Sequence, residues 1–127
     1  MTTVANVFHE LGSRLGMGPL LFRDPGPLTL EVDNLGTLSF ETSSSSNSLL
    51  VSLAIFITPY DRVTLLEALK LASLENAGQQ GLRVAFHRDQ ILLMFKTPAL
   101  SIGAPQLENL ISRLFRLGET LKKIQAQ

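Results

Sequence analysis

Residues 28–41 read LTLEVDNLGTLSFE, and this stretch decides the fold. Leu28, Leu30 and Val32 alternate strictly with Thr29, Glu31 and Asp33. Successive side chains of a strand point to opposite faces, so a period of two puts the leucines and the valine on one buried side. Asp33-Asn34-Leu35-Gly36 then supplies turn chemistry, with the glycine available for a positive φ. Leu38 and Phe40 resume the alternation against Thr37, Ser39 and Glu41. Two alternating runs joined this tightly form an antiparallel hairpin, because a parallel pair needs a crossover of about a dozen residues.

The pattern continues towards the C-terminus. Residues 43–48 are all polar and read as a hairpin loop rather than a linker, since neither flank could fold alone. A third strand spans residues 49–57, with Leu49, Val51, Leu53, Ile55 and Ile57 on one face. Ser52 and Ala54 lie opposite, flanked by Leu50 and Phe56, which suits a central strand covered in part on both sides. Leu82, Val84 and Phe86 alternate with Arg83, Ala85 and His87 in a fourth strand. Arg88-Asp89 turns the chain into a fifth, where Ile91, Leu93 and Phe95 share one face and Leu92 and Met94 the other, until Thr97-Pro98 ends it.

Three segments have helical spacing instead. In residues 3–16, Val4, Phe8, Leu11 and Leu15 form one apolar stripe, closed by Gly16 and Gly18-Pro19. A loop carrying Asp24-Pro25-Gly26-Pro27 follows. Thr58-Pro59-Tyr60-Asp61 starts a second helix, with threonine as cap and proline at the first helical position, and the helix extends to about Ala77 before Gly78. Leu66, Leu69 and Leu74 make its stripe, and Val63, Leu65, Ala68, Leu71 and Ala72 widen it over most of the circumference. A helix that apolar requires cover on more than one side. Beyond Gly103-Ala104-Pro105, a last helix carries Leu107, Leu110, Leu114, Leu117, Leu121 and Ile124 at alternating steps of three and four. So short a seam fits packing across a sheet better than a coiled coil.

The chain is therefore expected to be a single α+β domain over residues 1–127: three helices and a five-stranded antiparallel sheet in the order α-β-β-β-α-β-β-α. Composition narrows its function. Of 127 residues, 45% are hydrophobic and only 17% charged, so apolar surface is expected to be kept for a partner. No apolar run approaches the length of a membrane span, and the start has no secretory-signal pattern, which points to the cytoplasm without stable membrane insertion. With no cysteine there is neither a disulfide framework nor a thiolate metal site. Eleven basic residues balance eleven acidic ones, so no global field attracts nucleic acid. Arg113, Arg116, Lys122 and Lys123 make the last helix locally basic, as cations near a helix C-terminus commonly do.

Catalytic equipment is missing from the sequence. It has no phosphate-binding glycine loop, no dinucleotide fingerprint and no nucleophile elbow. His9 and His87 fall in different elements, and His87 beside Arg88 and Asp89 reads as a polar hairpin end. Glu67 and Glu75 are surface charges on one helix. Neither an enzyme nor a cofactor or metal site is expected.

Several stretches resemble the small type III secretion chaperones of the CesT/Tir-chaperone group, and most of all its SycN branch, whose members assist a secreted gatekeeper protein. They are Leu28-Thr29-Leu30-Glu31 with Gly36-Thr37-Leu38, Ala68-Leu69-Lys70-Leu71-Ala72, Leu82-Arg83, Leu92-Leu93-Met94-Phe95, and Leu110 with Leu114-Phe115-Arg116-Leu117. The resemblance covers roughly residues 28–121, and its weight lies in the joint order of these stretches. Many members are acidic, whereas this chain is neutral, with pI ≈ 6.7.

The resemblance implies a chaperone active in virulence that uses no nucleotide. It would dimerise through the second helix and an adjacent strand and hold an extended, amino-terminal segment of a secreted gatekeeper or effector. SycN-like members pair with a second, different small chaperone, so both a homodimer and a heterodimer stay open. On this basis Leu66, Leu69 and Ala72 are expected at the dimer interface. A groove lined by Phe8, Leu11, Leu38 and Phe40 is expected to take the client, the alternative being that these four are plain core. A different class, a small α/β adaptor or nucleic-acid-associated domain using the basic last helix, would betray itself by steeply salt-dependent binding.

Overall fold

The computed structural model describes residues 4–16, 28–43, 48–57, 61–75, 82–87, 89–98 and 102–125, without the side chains of 4, 5, 43 and 72–75. The elements follow in the order α1 (Val4–Arg14), β1 (Leu28–Val32), β2 (Gly36–Ser43), β3 (Ser48–Phe56), α2 (Arg62–Glu75), β4 (Arg83–His87), β5 (Gln90–Pro98) and α3 (Ala104–Gln125). The five strands form one antiparallel sheet ordered β1-β2-β3-β5-β4, so β3 is central and β1 and β4 are the edges. This is the α+β architecture expected from the alternation.

Register carries the period of two across the whole sheet. Leu28 pairs with Phe40, Phe40 with Val51, and Val51 with Phe95. One layer further along, Leu30, Leu38, Leu53, Leu93 and Val84 stand in line. This face is the core, and α1 and α3 cover it. Phe8 of α1 meets Phe40 edge to face, with centroids 4.8 Å apart, while α3 packs on β3 and β5. The leucines of α3 at 107, 110, 114, 117 and 121 are all buried, which fits a helix laid across a sheet. Gly118 lets it come close: a Cβ there would lie 2.8 Å from a Leu53 methyl and 3.1 Å from methyls of Ile55 and Leu35.

The helix starts and turns differ from expectation in detail. α2 is capped by Asp61, three residues after the threonine assigned from sequence. The Thr64 N–H donates to Asp61 Oδ1 at 3.0 Å and the Thr64 hydroxyl to Oδ2 at 2.6 Å. Both bonds favour the charged carboxylate, so Asp61 is held below the ordinary aspartate range, mainly by the hydroxyl. Residues 58–60, the expected cap, and 76–78, the expected helix end, lie outside the described residues. In the β1–β2 turn the positive φ, 62°, belongs to Asn34 rather than to Gly36. Gly36 is required for another reason: a side chain there would run into the Ala54 carbonyl of β3. At α3, the Gly103 N–H is capped by Gln106 Oε1 at 3.1 Å, closing the first turn.

Candidate functional site

α2 lies against α3 and the edge strand β4. Its inner side is Thr64 and Ala68, both 0% exposed, with Leu65 and Leu71 half-buried beside them. The other side has no cover among the described residues. Val63 is 64% exposed, Leu66 57% and Leu69 48%, and Phe86 of β4 is 45% exposed. Helical spacing of three and six residues puts Val63, Leu66 and Leu69 on one solvent-facing stripe. Four large apolar residues open to solvent on one helix and its neighbouring strand form the kind of patch that marks an interaction surface. Sequence placed Leu66 and Leu69 at an interface. Ala72 lies within α2, but its side chain falls outside the described residues. Phe86 was missed as a surface residue because its alternation also fits a buried position, and edge position follows only from strand order.

A second apolar feature sits at the opposite edge. Leu15, Leu30, Val32, Leu38 and Phe115, with Glu31 and Asp33, line a groove of about 290 Å³. It lies between the C-terminal end of α1, the edge strand β1 and α3. α1 is pinned to α3 beside it by Arg14, whose Nε donates to Glu108 Oε2 at 2.7 Å.

The expected client residues are brought together, but not on a groove wall. Phe8, Leu11 and Phe40 are 0% exposed and Leu38 2%, all inside the buried cluster. The correction has a simple cause. Phe8 packs edge to face on Phe40 and lies with Leu11 in the buried cluster, so the two cover the strand surface instead of bordering an opening. Of the four, Leu38 alone also lines the neighbouring groove. Leu15, read from sequence as an ordinary stripe residue, and Phe115 stay half-buried and form its wall.

Polar chemistry is sparse. Among the described residues no group of three or more His, Asp or Glu is placed to hold a metal ion, and no helix is long and apolar enough to cross a membrane. His9 and His87 are exposed. On α3, the Arg113 guanidinium sits 4.6 Å from the centre of the Phe95 ring, a cation–π contact that ties it to the core.

No protein-family model matches the chain, and no curated protein sequence matches it as a relative. Solved structures do match. The HopA1–SchA chaperone–effector complex aligns at 21% identity and TM-score 0.69, over 92% of this chain and 91% of that one. The ExsC–ExsE complex aligns at 14% identity and TM-score 0.76, over 96% and 92%. SycH, a type III secretion chaperone of Yersinia pestis bound to a fragment of YscM2, aligns at 17% identity and TM-score 0.72, over 94% and 99%. This chain shares the fold of type III secretion chaperones. The fold also extends, at 11% identity and TM-score 0.55, to YbjN of E. coli, a candidate transcription regulator. At these identities the likeness concerns architecture, and function has to be argued from the surfaces.

Proposed function

We propose that the chain is a non-enzymatic secretion chaperone. It pairs through α2 and β4, and it holds an extended segment of a secreted protein in a secretion-competent state, in the cytoplasm and without nucleotide. The observation that carries this reading is the uncovered apolar stripe of α2 with Phe86, on a fold otherwise found in chaperones complexed with their effectors. Such a patch suits a protein that must pair. The groove beside the edge strand β1 suits the second task. An extended segment can add to a free strand edge through its backbone and place alternate side chains in an apolar groove. The single sheet and single buried cluster support treating residues 1–127 as one domain.

On the finer points, the sequence resemblance supports an amino-terminal client segment, a gatekeeper as client, and a second small chaperone as partner in the SycN manner. The adaptor or nucleic-acid reading is the weaker one, because eleven basic residues are balanced by eleven acidic ones and no net charge draws a polyanion to the chain. The test is genetic and biochemical. The chain is tagged in a cell carrying a type III system, its bound partners are identified, and its gene is then removed. Loss of secretion of the bound protein, with other substrates still exported, is the expected result. Unchanged export of every substrate would overturn the proposal.

A further inference from the structure

The β1 groove has an acidic rim, and that rim says something about its occupant. Glu31 and Asp33 belong to its lining, and no cation is among the described residues that line it. Neither carboxylate is in an ion pair with any described residue. Glu31 is held in place: it stands opposite Thr37 in the β1–β2 register, and the Thr37 hydroxyl donates to Glu31 Oε1 at 3.0 Å. Among the described residues β1 pairs with β2 alone, and no described strand lies along its other edge.

Strand geometry then dictates how an incoming segment is read. A residue directly opposite another across a strand pair shares its face, and the face switches at every step. Positions opposite Leu30 and Val32 therefore point to the groove side. The position between them stands on the same face as Glu31, within reach of its carboxylate. Building on the proposed client site, we infer that the β1 edge selects an extended segment with an apolar–basic–apolar triplet, the apolar pair entering the groove and the Lys or Arg pairing with Glu31, supported by Asp33. Because the chain as a whole carries no net charge, this selection is local and is screened beyond about 8 Å at physiological salt.

The experiment uses the full chain in its native assembly and three labelled eight-residue peptides, with leucine or valine alternating with lysine, serine or glutamate. Fluorescence anisotropy is expected to show the lysine peptide binding about fivefold tighter than the serine one, with the glutamate peptide weakest, as cross-strand charge pairs predict. The differences should collapse at about 1 M salt, where screening acts within about 3 Å. Glu31→Lys should invert the order at an unchanged melting temperature, since Glu31 is exposed. If the three peptides bind equally while Leu15→Gln, in the groove wall, weakens all of them, charge selection is wrong and the groove still holds. If no peptide binds, or if neither Leu15→Gln nor Phe115→Ser changes binding in protein that melts normally, both the selection and the client site are overturned.

Discussion

Replacing Leu69 by aspartate separates an interface helix from a core helix. In the protomer Leu69 is already 48% exposed, so a carboxylate there stays in water and should lower the stability of the isolated fold by less than about 1 kcal/mol, within the range of ordinary surface changes. At a subunit interface the accounting differs. Covering the open half of a leucine contributes about 1 kcal/mol, and an unpaired carboxylate in its place costs about 3 kcal/mol or more. A two-fold pair suffers both losses twice. Even with water reaching the carboxylate and halving its penalty, about 5 kcal/mol is lost, between three and four decades in Kd. Sedimentation velocity across a dilution series, on the chain alone and co-expressed with its bound partner, reads the assembly, and a thermal melt reads the fold. The expected outcome is a monomer with a nearly unchanged melt. An assembly of unchanged affinity would refute the α2 interface, and a collapsed melt would show that Leu69 is structural.

Three further outcomes follow from the packing. Phe8→Ala should lower stability by about 3–5 kcal/mol in a urea titration, as expected for a fully buried aromatic, while client capture by the folded fraction is preserved. Gly118→Ala gains about 1 kcal/mol of helix propensity but forces a Cβ 2.8 Å from Leu53, so overpacking of about 1–3 kcal/mol should dominate and the melt should fall. A rise would mean that α3 stands further from β3. Asp61 has a lowered folded pKa, so its contribution is complete above the unfolded value, about 3.9, and is lost as pH falls through the folded one. Asp61→Ala should weaken the fold at neutral pH and remove that part of the acid limb, whereas Asp61→Asn, which can still cap, should keep most of the neutral stability.

The sheet could be read from sequence because its signal is local. The alternation through residues 28–41 needs no tertiary knowledge, and one buried face forbids a register slip, which would turn every leucine outward. The helices follow from spacing in the same way. The α2 cap was displaced because Thr58-Pro59 and Asp61 both carry start chemistry, and only the Thr64 hydroxyl bonding Asp61 decides between them. The client residues stood between groove and core for a deeper reason. Phe8, Leu11, Leu38 and Phe40 have the hydrophobicity of a groove and of a core alike. Periodicity says which face a residue takes, not whether a second layer closes over it. Leu15 and Phe115 reach the groove only through a meeting of α1, β1 and α3 that residue spacing does not encode.

Strand order sets the two proposed surfaces at opposite edges of one small sheet. The open apolar stripe of α2 lies at the β4 edge, and the groove lies at the β1 edge. Four strand spacings separate those edges, about 19 Å at the usual interval. A partner seated on Val63, Leu66, Leu69 and Phe86 therefore leaves β1 uncovered. The surplus of apolar residues in the composition thus divides between two ends of the sheet instead of enlarging its core. Pairing is what makes the α2 end compatible with water, because a stripe of half-exposed leucine, valine and phenylalanine left bare invites non-specific association. Client binding places a weaker demand on the β1 end, where a narrow groove bordered by Glu31 and Asp33 stays hydrated until a segment arrives.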